Sequence, residues 1–572
     1  MRDNQSSMLI DRSISVTEAG SSGSAARQRW SSASIVGFIG IVGPITLGLA
    51  GAAIRLDAFL RNSPLSLDEA ALARNIIDRP WTRLVGWLDY SQLAPPGFLL
   101  VEKAIVSVAG SSEYALRLFP FLCALVAVWL CWAVARRLLP TVPALLAFGL
   151  FSLNTSLIDL GTRVKPYAGD VAAALWVLLI ATYVFVPAVT RRRAALLALA
   201  GAGTCLFSFP SVFVLAAVAL AALYRGRSER PQRPALFAAA AVWSIGVVVG
   251  TLIAKMSLSP SDSEYMRWFW QPAFMPFPPR TADDAVWVGH QLKAMFRWTL
   301  FYRASVVWIA SAALGIWSLA RRRRLDAVIM LTMPLLLVIG ASAAKQYPFH
   351  TGRVALFLVP AILMLVGEGA DYFRQLFSTR LRWVGTAPLI VLVALGIQGT
   401  WSGWRIQRNG DLRAPLQYVR QHWQPGDRLF VHHAAGQVFL YYAPRLGFAS
   451  TDYVVSRCSD DVERAALWQM EALGGSPRVW VLVWGTDENE LLFRYLSARA
   501  TVRDTFSAGG QEPGDSFMMR GAAILYDLTA PRSPGVTPAT LDVPGTADRP
   551  PEARSCYGVF SPWPAVNSAT DR

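Results

Sequence analysis

Residues 115–137 read ALRLFPFLCALVAVWLCWAVARR, an apolar run closed by Arg136 and Arg137. A run of roughly 20 such residues is what a helix needs to cross ~30 Å of hydrocarbon. The pattern repeats outward in both directions. Apolar runs fall at 34–54, 115–135, 141–158, 171–189, 194–209, 211–224, 234–256, 303–320, 326–343, 352–367 and 383–400. Arginine-rich breaks lie between them at Arg191–Arg193, Arg225 to Arg233, Arg321–Arg324 and Arg374 to Arg382. Eleven membrane spans are expected. Composition agrees: 53% of the 572 residues are hydrophobic and 16% charged, against about 25% charged in a soluble domain.

The net charge of +16 follows the same pattern. Short cytoplasmic loops retain Arg and Lys, and the clusters above all fall on one side if the chain starts inside. Arg12, Arg27 and Arg29 precede the first run, which begins near Ser34 without a small-residue cleavage site, so the N-terminus is expected in the cytoplasm. No soluble module with a basic face and stacking aromatics is legible, which argues against nucleic-acid binding. Eleven spans from an inside start leave outer stretches at 55–114, 159–170 and 257–302, and a smaller one at 344–351. Residues 95–109 are apolar but short and contain Glu102 and Lys103. They read as an interfacial helix, because a span there would invert every later loop.

After Thr400 no run is long enough to cross. Asp411 to His422 and Glu488 to Arg499 read as helices, and Arg428 to His432, Arg478 to Trp484 and Ala522 to Leu528 as buried strands. A small extracytoplasmic α/β domain over 401–530 is expected. Residues 531–572, rich in Pro, Thr and Ser, are expected to be disordered. Cys123, Cys131 and Cys205 fall in spans as apolar fillers. Cys458 and Cys556 lie where a disulfide is permitted, and neither they nor His432-His433 match a metal spacing.

Chemistry gathers on the outer side. Ser66-Leu67-Asp68-Glu69-Ala70 opens a helix whose apolar positions are Leu72, Ile76 and Ile77. Ser66 and Glu69 have capping-box spacing, and acids suit a helix start, so local structure alone accounts for the pair. A capped helix start is also a rigid mount for a base. Asp68 in a cleft at the membrane surface could accept a proton from an acceptor hydroxyl as that oxygen attacks a sugar's anomeric carbon. Arg163, Lys165, Tyr167 and Asp170 then crowd the outer end of a span, where charge near hydrocarbon is expensive. Interfacial snorkelling explains one cation there more easily than the whole group; a lipid-linked phosphate at this depth would explain both cations. Tyr347, Phe349, His350 and Arg353 form a further short outer turn. Its aromatics suit an interface belt, and Arg353 is a second phosphate-binding candidate. Residues 257–302 carry Tyr265, Trp268, Phe269, Trp270, Phe274, Phe277 and Trp287, either interface anchors or a wall for sugar and lipid.

The order and sidedness of these motifs resemble the polytopic GT-C glycosyltransferases. The likeness is greatest to bacterial members similar to dolichyl-phosphate-mannose-protein mannosyltransferases (protein O-mannosyltransferases) and aminoarabinose transferases. It rests on Asp68-Glu69, Pro95-Pro96-Gly97, Lys165-Pro166-Tyr167 with Asp170, and Tyr347-Pro348-Phe349 with Arg353, across residues 34–400. The resemblance implies an undecaprenyl- or polyprenyl-phosphate sugar donor, a catalytic Asp in the first outer loop, and inversion at the anomeric carbon. One position departs. Many relatives carry an acid two residues before the Lys or Arg of the second motif, and here that residue is Arg163. Either Asp159 or Asp170 takes its place or the site relies on Asp68 alone; the metal is left open.

The expected fold is therefore an all-α polytopic membrane protein of about eleven transmembrane helices and GT-C type, with a small C-terminal extracytoplasmic α/β domain. Residues 1–33 form a cytoplasmic tail and 34–400 the catalytic part. The expected function is transfer of a sugar from a polyprenyl-phosphate donor to a hydroxyl of a protein, lipid or glycan acceptor, outside the inner (plasma) membrane. Asp68 and Glu69 are the catalytic candidates, and Arg163, Lys165, Tyr167, Asp170, Tyr347, His350 and Arg353 the substrate-binding ones. The alternatives are a flippase of lipid-linked saccharides, which would place charges near the midplane and show internal repeats, and a non-catalytic envelope assembly subunit.

Overall fold

The computed structural model describes residues 32–300, 303–349, 352–377, 382–406, 411–456, 462–484, 490–507, 521–530, 533 and 535–541. The chain begins with α1 (Ser32–Leu60), α2 (Leu67–Asp78), α3 (Pro96–Ala109) and α4 (Glu113–Leu138). There follow α5 (Thr141–Leu153), α6 (Thr155–Asp159), α7 (Tyr167–Val184), α8 (Arg191–Ala202), α9 (Ser211–Ser228) and α10 (Arg233–Met256). The segment between α10 and the rest of the bundle holds α11 (Pro260–Phe269) and α12 (Ala282–Ala294). The bundle closes with α13 (Ser305–Arg321), α14 (Leu325–Ala343), α15 (Val359–Gln375), α16 (Arg382–Gly385) and α17 (Ala387–Ile406).

Among the described residues, seven helices are long and apolar enough to cross a membrane: Gly40–Leu60, Glu113–Leu138, Tyr167–Val184, Ser211–Ser228, Arg230–Met256, Leu325–Ala343 and Arg353–Gln375. This is a multi-pass membrane protein. The expected eleven spans divide on local chemistry. Residues 141–158 form two helices bent by 55° rather than one rod. Asn154 leaves helical geometry there and accepts a bond from the Leu157 amide at 3.1 Å, capping α6 anew. Residues 194–209 become the 12-residue α8 followed by a 3-10 turn, Gly203–Leu206; at 1.5 Å per residue α8 covers only ~18 Å. Ser305–Arg321 and Ala387–Ser402 are apolar but shorter than a full crossing. The 95–109 segment forms the short α3.

Small residues set the centre of the bundle. A Cβ on Gly369 of α15 would lie 1.7 Å from the carbonyl oxygen of Ser311 on α13, and one on Gly315 would lie 2.0 Å from that of Leu365. Backbone therefore packs on backbone, as helix pairs in lipid do when small residues face each other. A 3-10 turn, Arg353–Leu358, leads into α15, so the central helix carries Arg353 at one end.

The last part of the chain is a five-stranded mixed sheet. Its strands are β1 (Arg428–Val431), β2 (Tyr453–Val455), β3 (Val479–Trp484), β4 (Thr501–Ser507) and β5 (Gly521–Asp527), in the order β2-β1-β3-β5-β4. The pairs β1–β2 and β1–β3 are parallel and those of β5 are antiparallel. Helices α18 (Arg413–Gln421), α19 (Gly436–Tyr442), α20 (Val462–Glu471) and α21 (Glu490–Arg499) complete it. The expected helices and the apolar strands are present; β2 and β4 were not anticipated. The first has three residues, and the second, TVRDTFS, is a polar edge strand with an irregularity between Val502 and Asp504. Cys458, Cys556 and the tail from 542 onward lie outside the described residues.

The sheet does not stand apart from the membrane bundle. Leu72 and Ile76 of α2 and Phe98 of α3 share one core with Leu416, Leu429, Phe439, Tyr442 and Trp480. The Tyr442 hydroxyl accepts from the Leu65 amide at 3.1 Å and donates to Glu113 at 3.0 Å, and Arg74 of α2 donates to Gln437 of α19 at 3.0 Å. The start of α2 is thus clamped from above by the sheet and from below by the bundle.

Candidate active site

Glu69 is the anchor of the site. Only 1% exposed, it accepts from the Ser66 amide at 3.0 Å, the Ser66 hydroxyl at 2.9 Å and Arg163 Nη1 at 3.1 Å through Oε2. Its Oε1 accepts from Arg117 Nη2 at 3.1 Å and the Val164 amide at 2.9 Å. Burial alone would raise this carboxyl, but the arginines and the amides of Ser66 and Val164 hold it down at about 2. Hydrogen bonds to the charged form and nearby cations favour ionisation in this way. Arg117, reaching in from α4, also donates to the carbonyls of Ser63 and Pro64. Arg163 in turn spans both oxygens of Asp159, at 3.1 and 3.2 Å. One buried carboxylate therefore ties the start of α2, the start of α4 and residues 159–164 together.

Asp68 points elsewhere. Its neighbour's network fixes the backbone, while its own side chain remains one quarter exposed and is paired with Arg353. Burial opposes ionisation of Asp68, but Lys165 and Arg353 outweigh it and hold the carboxyl below the usual range. Lys165 is 8% exposed, and a tight turn precedes it, its amide bonding the Arg163 carbonyl at 2.7 Å. Its ammonium donates to Gln92 Oε1 at 2.6 Å. Burial lowers the Lys165 ammonium to about 8, against the pull of Asp68. Asp68, Lys165 and Arg353, from α2, the turn before α7 and the turn before α15, so form one cluster of one acid and two cations.

The turn that delivers Arg353 is built from the aromatic residues noted in the sequence. The Tyr347 hydroxyl donates to the Val354 carbonyl at 2.8 Å, and its ring packs edge-on against Phe213. Phe349 is 1% exposed, its amide bonds the Ala273 carbonyl at 2.9 Å, and its ring meets Trp287. Gly352 has φ +110°, a conformation that side chains rarely adopt. Tyr265 contacts both Trp268 and Phe269, and Phe269 meets Trp270 edge-on.

The expected residues thus separate. Asp68, Lys165 and Arg353 converge. Glu69, expected to be catalytic, and Arg163, expected to bind substrate, are joined to each other and to Asp159. Tyr167 is in electrostatic range of Asp68 and Arg353. Asp170 is buried within α7, and its Oδ1 has no hydrogen-bond partner among the described residues. His350 lies outside the described residues. Gln92 and Arg117 were missed: the first carries no signal in the sequence, whereas the second is a lone arginine inside the run quoted at the outset. Among the described residues no group of three or more His, Cys, Asp or Glu side chains could hold a metal ion.

Comparison with known proteins completes the description. The profile of the dolichyl-phosphate-mannose-protein mannosyltransferase family matches residues 94–253. No curated protein matches the chain. ArnT from Cupriavidus metallidurans, solved bound to undecaprenyl phosphate, superposes with a TM-score of 0.50 at 12% identity, covering 85% of this chain and 98% of that one. The oligosaccharyltransferase AglB from Archaeoglobus fulgidus, in complex with an inhibitory peptide and a dolichol-phosphate, gives 0.42 at 12% identity over 80% and 70%. The arabinofuranosyltransferase AftD from Mycobacteria gives 0.44 at 17% identity over 85% and 42%. The likeness to ArnT shows a shared fold.

Proposed function

We propose that this chain is a polytopic membrane glycosyltransferase of the GT-C type that transfers a sugar from a polyprenyl-phosphate donor to an acceptor hydroxyl outside the inner membrane. The observation that carries this reading is the convergence of Asp68, Lys165 and Arg353 from three distant segments. One acid beside two cations is what an inverting displacement of phosphate from an anomeric carbon requires. ArnT bound to undecaprenyl phosphate supports a donor of that chemistry.

Asp68 is anionic throughout the working pH range, because its cations hold it low. It takes the proton of the acceptor hydroxyl as that oxygen bonds to the anomeric carbon and the sugar–phosphate bond breaks. The electron pair leaves with the polyprenyl phosphate, and its growing charge falls on Arg353 and Lys165, where fixed cations in a half-buried site are most effective. Before the donor enters, Arg353 is occupied by Asp68. The phosphate takes over that cation and frees the base. Glu69, Arg117 and Arg163 hold the geometry, and the outer aromatic side chains line the path of the lipid or the sugar.

The test is a transfer assay. Purified protein is incubated with radiolabelled polyprenyl-phosphate sugars and a membrane extract, beside Asp68→Asn. Label leaving the donor for an acceptor only with Asp68 present is the expected result. Folded protein that neither transfers nor hydrolyses any donor would turn the reading towards a flippase or an assembly subunit.

A further inference from the structure

The loop that supplies Gln92 is held in an uncommon backbone shape. Tyr90 and Ser91 are consecutive non-glycine residues with positive φ, +63° and +48°, a region in which L-residues are strained. Such a pair persists only where its surroundings over-determine it. Those surroundings are visible. On one side Asn75 of α2 brackets Asp89, accepting from its amide at 2.8 Å and donating to its carbonyl at 3.0 Å, while Arg74 lies over the Tyr90 ring. On the other side the Ser91 hydroxyl donates to Asp262 Oδ1 at 2.8 Å. Asp262 is 8% exposed and belongs to the first turn of α11, where its amide bonds the Ser259 hydroxyl at 3.0 Å.

What this shape aims is Gln92. Its Nε2 donates to the Tyr90 carbonyl of its own loop at 3.1 Å, which fixes the amide's orientation and turns Oε1 to Lys165. This is the one side-chain hydrogen bond of the Lys165 ammonium among the described residues. We infer that Asp262 is a positioning residue for Lys165, acting through Ser91 and Gln92. The inference rests on the reading above, in which Lys165 receives the charge of the donor phosphate. Helix α11 also carries Tyr265, Trp268 and Phe269. The aromatic surface and the lysine are therefore joined through one serine, and the placement of that helix sets how firmly the ammonium is held.

The charged groups facing Lys165 are Asp68 and Glu69 from α2 and Arg353 from the turn before α15, and Gln92 is the neutral acceptor among them. An acceptor favours the protonated amine, so loosening Gln92 makes Lys165 lose its proton at lower pH. The experiment measures acetylation of Lys165 by acetic anhydride across pH 6–10 in the detergent-solubilised full chain, read by mass spectrometry, beside the pH profile of sugar transfer. Gln92→Leu is expected to move the midpoint of Lys165 reactivity, and the alkaline limb of transfer, down by about one pH unit, the scale of one hydrogen bond to a charged group. Ser91→Ala and Asp262→Ala should move both in the same direction, and the double variant no further than either alone. Gln92→Glu should move both upward. An unchanged midpoint in folded Ser91→Ala and Asp262→Ala protein overturns the inference, as does lower turnover with an unmoved alkaline limb. A shifted Lys165 midpoint in a protein that transfers no sugar would uphold the positioning and count against the proposed reaction alone.

Discussion

Asp68 and Glu69 are neighbours in sequence and opposites in surroundings. Glu69 is enclosed by five donors from three segments, and its charge is fully answered by Arg117 and Arg163. Asp68, one residue earlier, pairs with Arg353, feels the charge of Lys165 and stays one quarter exposed. The same functional group thus does two jobs, and the number of fixed partners separates them. A carboxylate whose every lone pair is taken holds backbone in place; one with a single partner and part of its surface exposed keeps acceptor capacity to spare.

Breaking the comparison at Asp68 should give the largest effect. Asp68→Asn removes the base with little change of shape, and transfer is expected to fall by about 10²–10⁴-fold while the thermal midpoint stays near that of the parent. Radiolabel transfer and a melting curve on one preparation check both halves. At Glu69 the sign of the result reverses. Glu69→Gln leaves Arg117 buried without its counter-charge, and breaking such a pair costs about 3–5 kcal/mol; the readout is the thermal midpoint, with lost activity following from lost structure.

The same contrast can be sharpened with pH. Glu69 is held at about 2 when folded, against 4.5 when exposed. A depressed folded value means that stability is fully present above the unfolded value and lost as pH falls towards the folded one. Roughly 3 kcal/mol should therefore disappear between pH ~4.5 and ~2. Glu69→Gln should flatten that part of the stability curve, which chemical denaturation at a series of pH values measures. A smaller effect is expected at the clamp from the sheet: Tyr442→Phe loses bonds to Leu65 and Glu113 and should cost about 1 kcal/mol without altering the pH profile of transfer.

The parts of this arrangement that were legible in the sequence are those written in composition and sidedness. Long apolar runs and arginine breaks give a polytopic protein because hydrocarbon thickness and loop charge leave few alternatives. The outer motifs around Asp68, Lys165 and Arg353 stood out because cations and acids are costly near lipid. What stayed hidden depends on three-dimensional partners. Nothing in Asp68-Glu69 tells which acid will be enclosed; that follows from Arg117 in α4 and the Val164 amide, which lie 48 and 95 residues away. The bond between Arg163 and Asp159, one helical turn earlier, likewise shows only once the turn is folded. The break at Asn154 inside the expected span 141–158 was not legible, because an apolar run conceals the cap. The polar edge strand β4 gave no period-two signal at all, since its partner β5 alone supplies the buried face.

In the proposed reaction Arg353 and Lys165 bind the donor phosphate, and Asp68 holds Arg353 until it arrives. Binding of polyprenyl phosphate to Asp68→Asn and to the parent protein, measured by ligand-induced change in thermal midpoint over a concentration series, tests it most directly. Folded Asp68→Asn should bind the lipid phosphate at least as tightly as the parent, because Arg353 is released, while transferring sugar at least ~10²-fold more slowly. Weaker binding by the variant, or transfer undiminished by the substitution, would overturn the proposed role of Asp68.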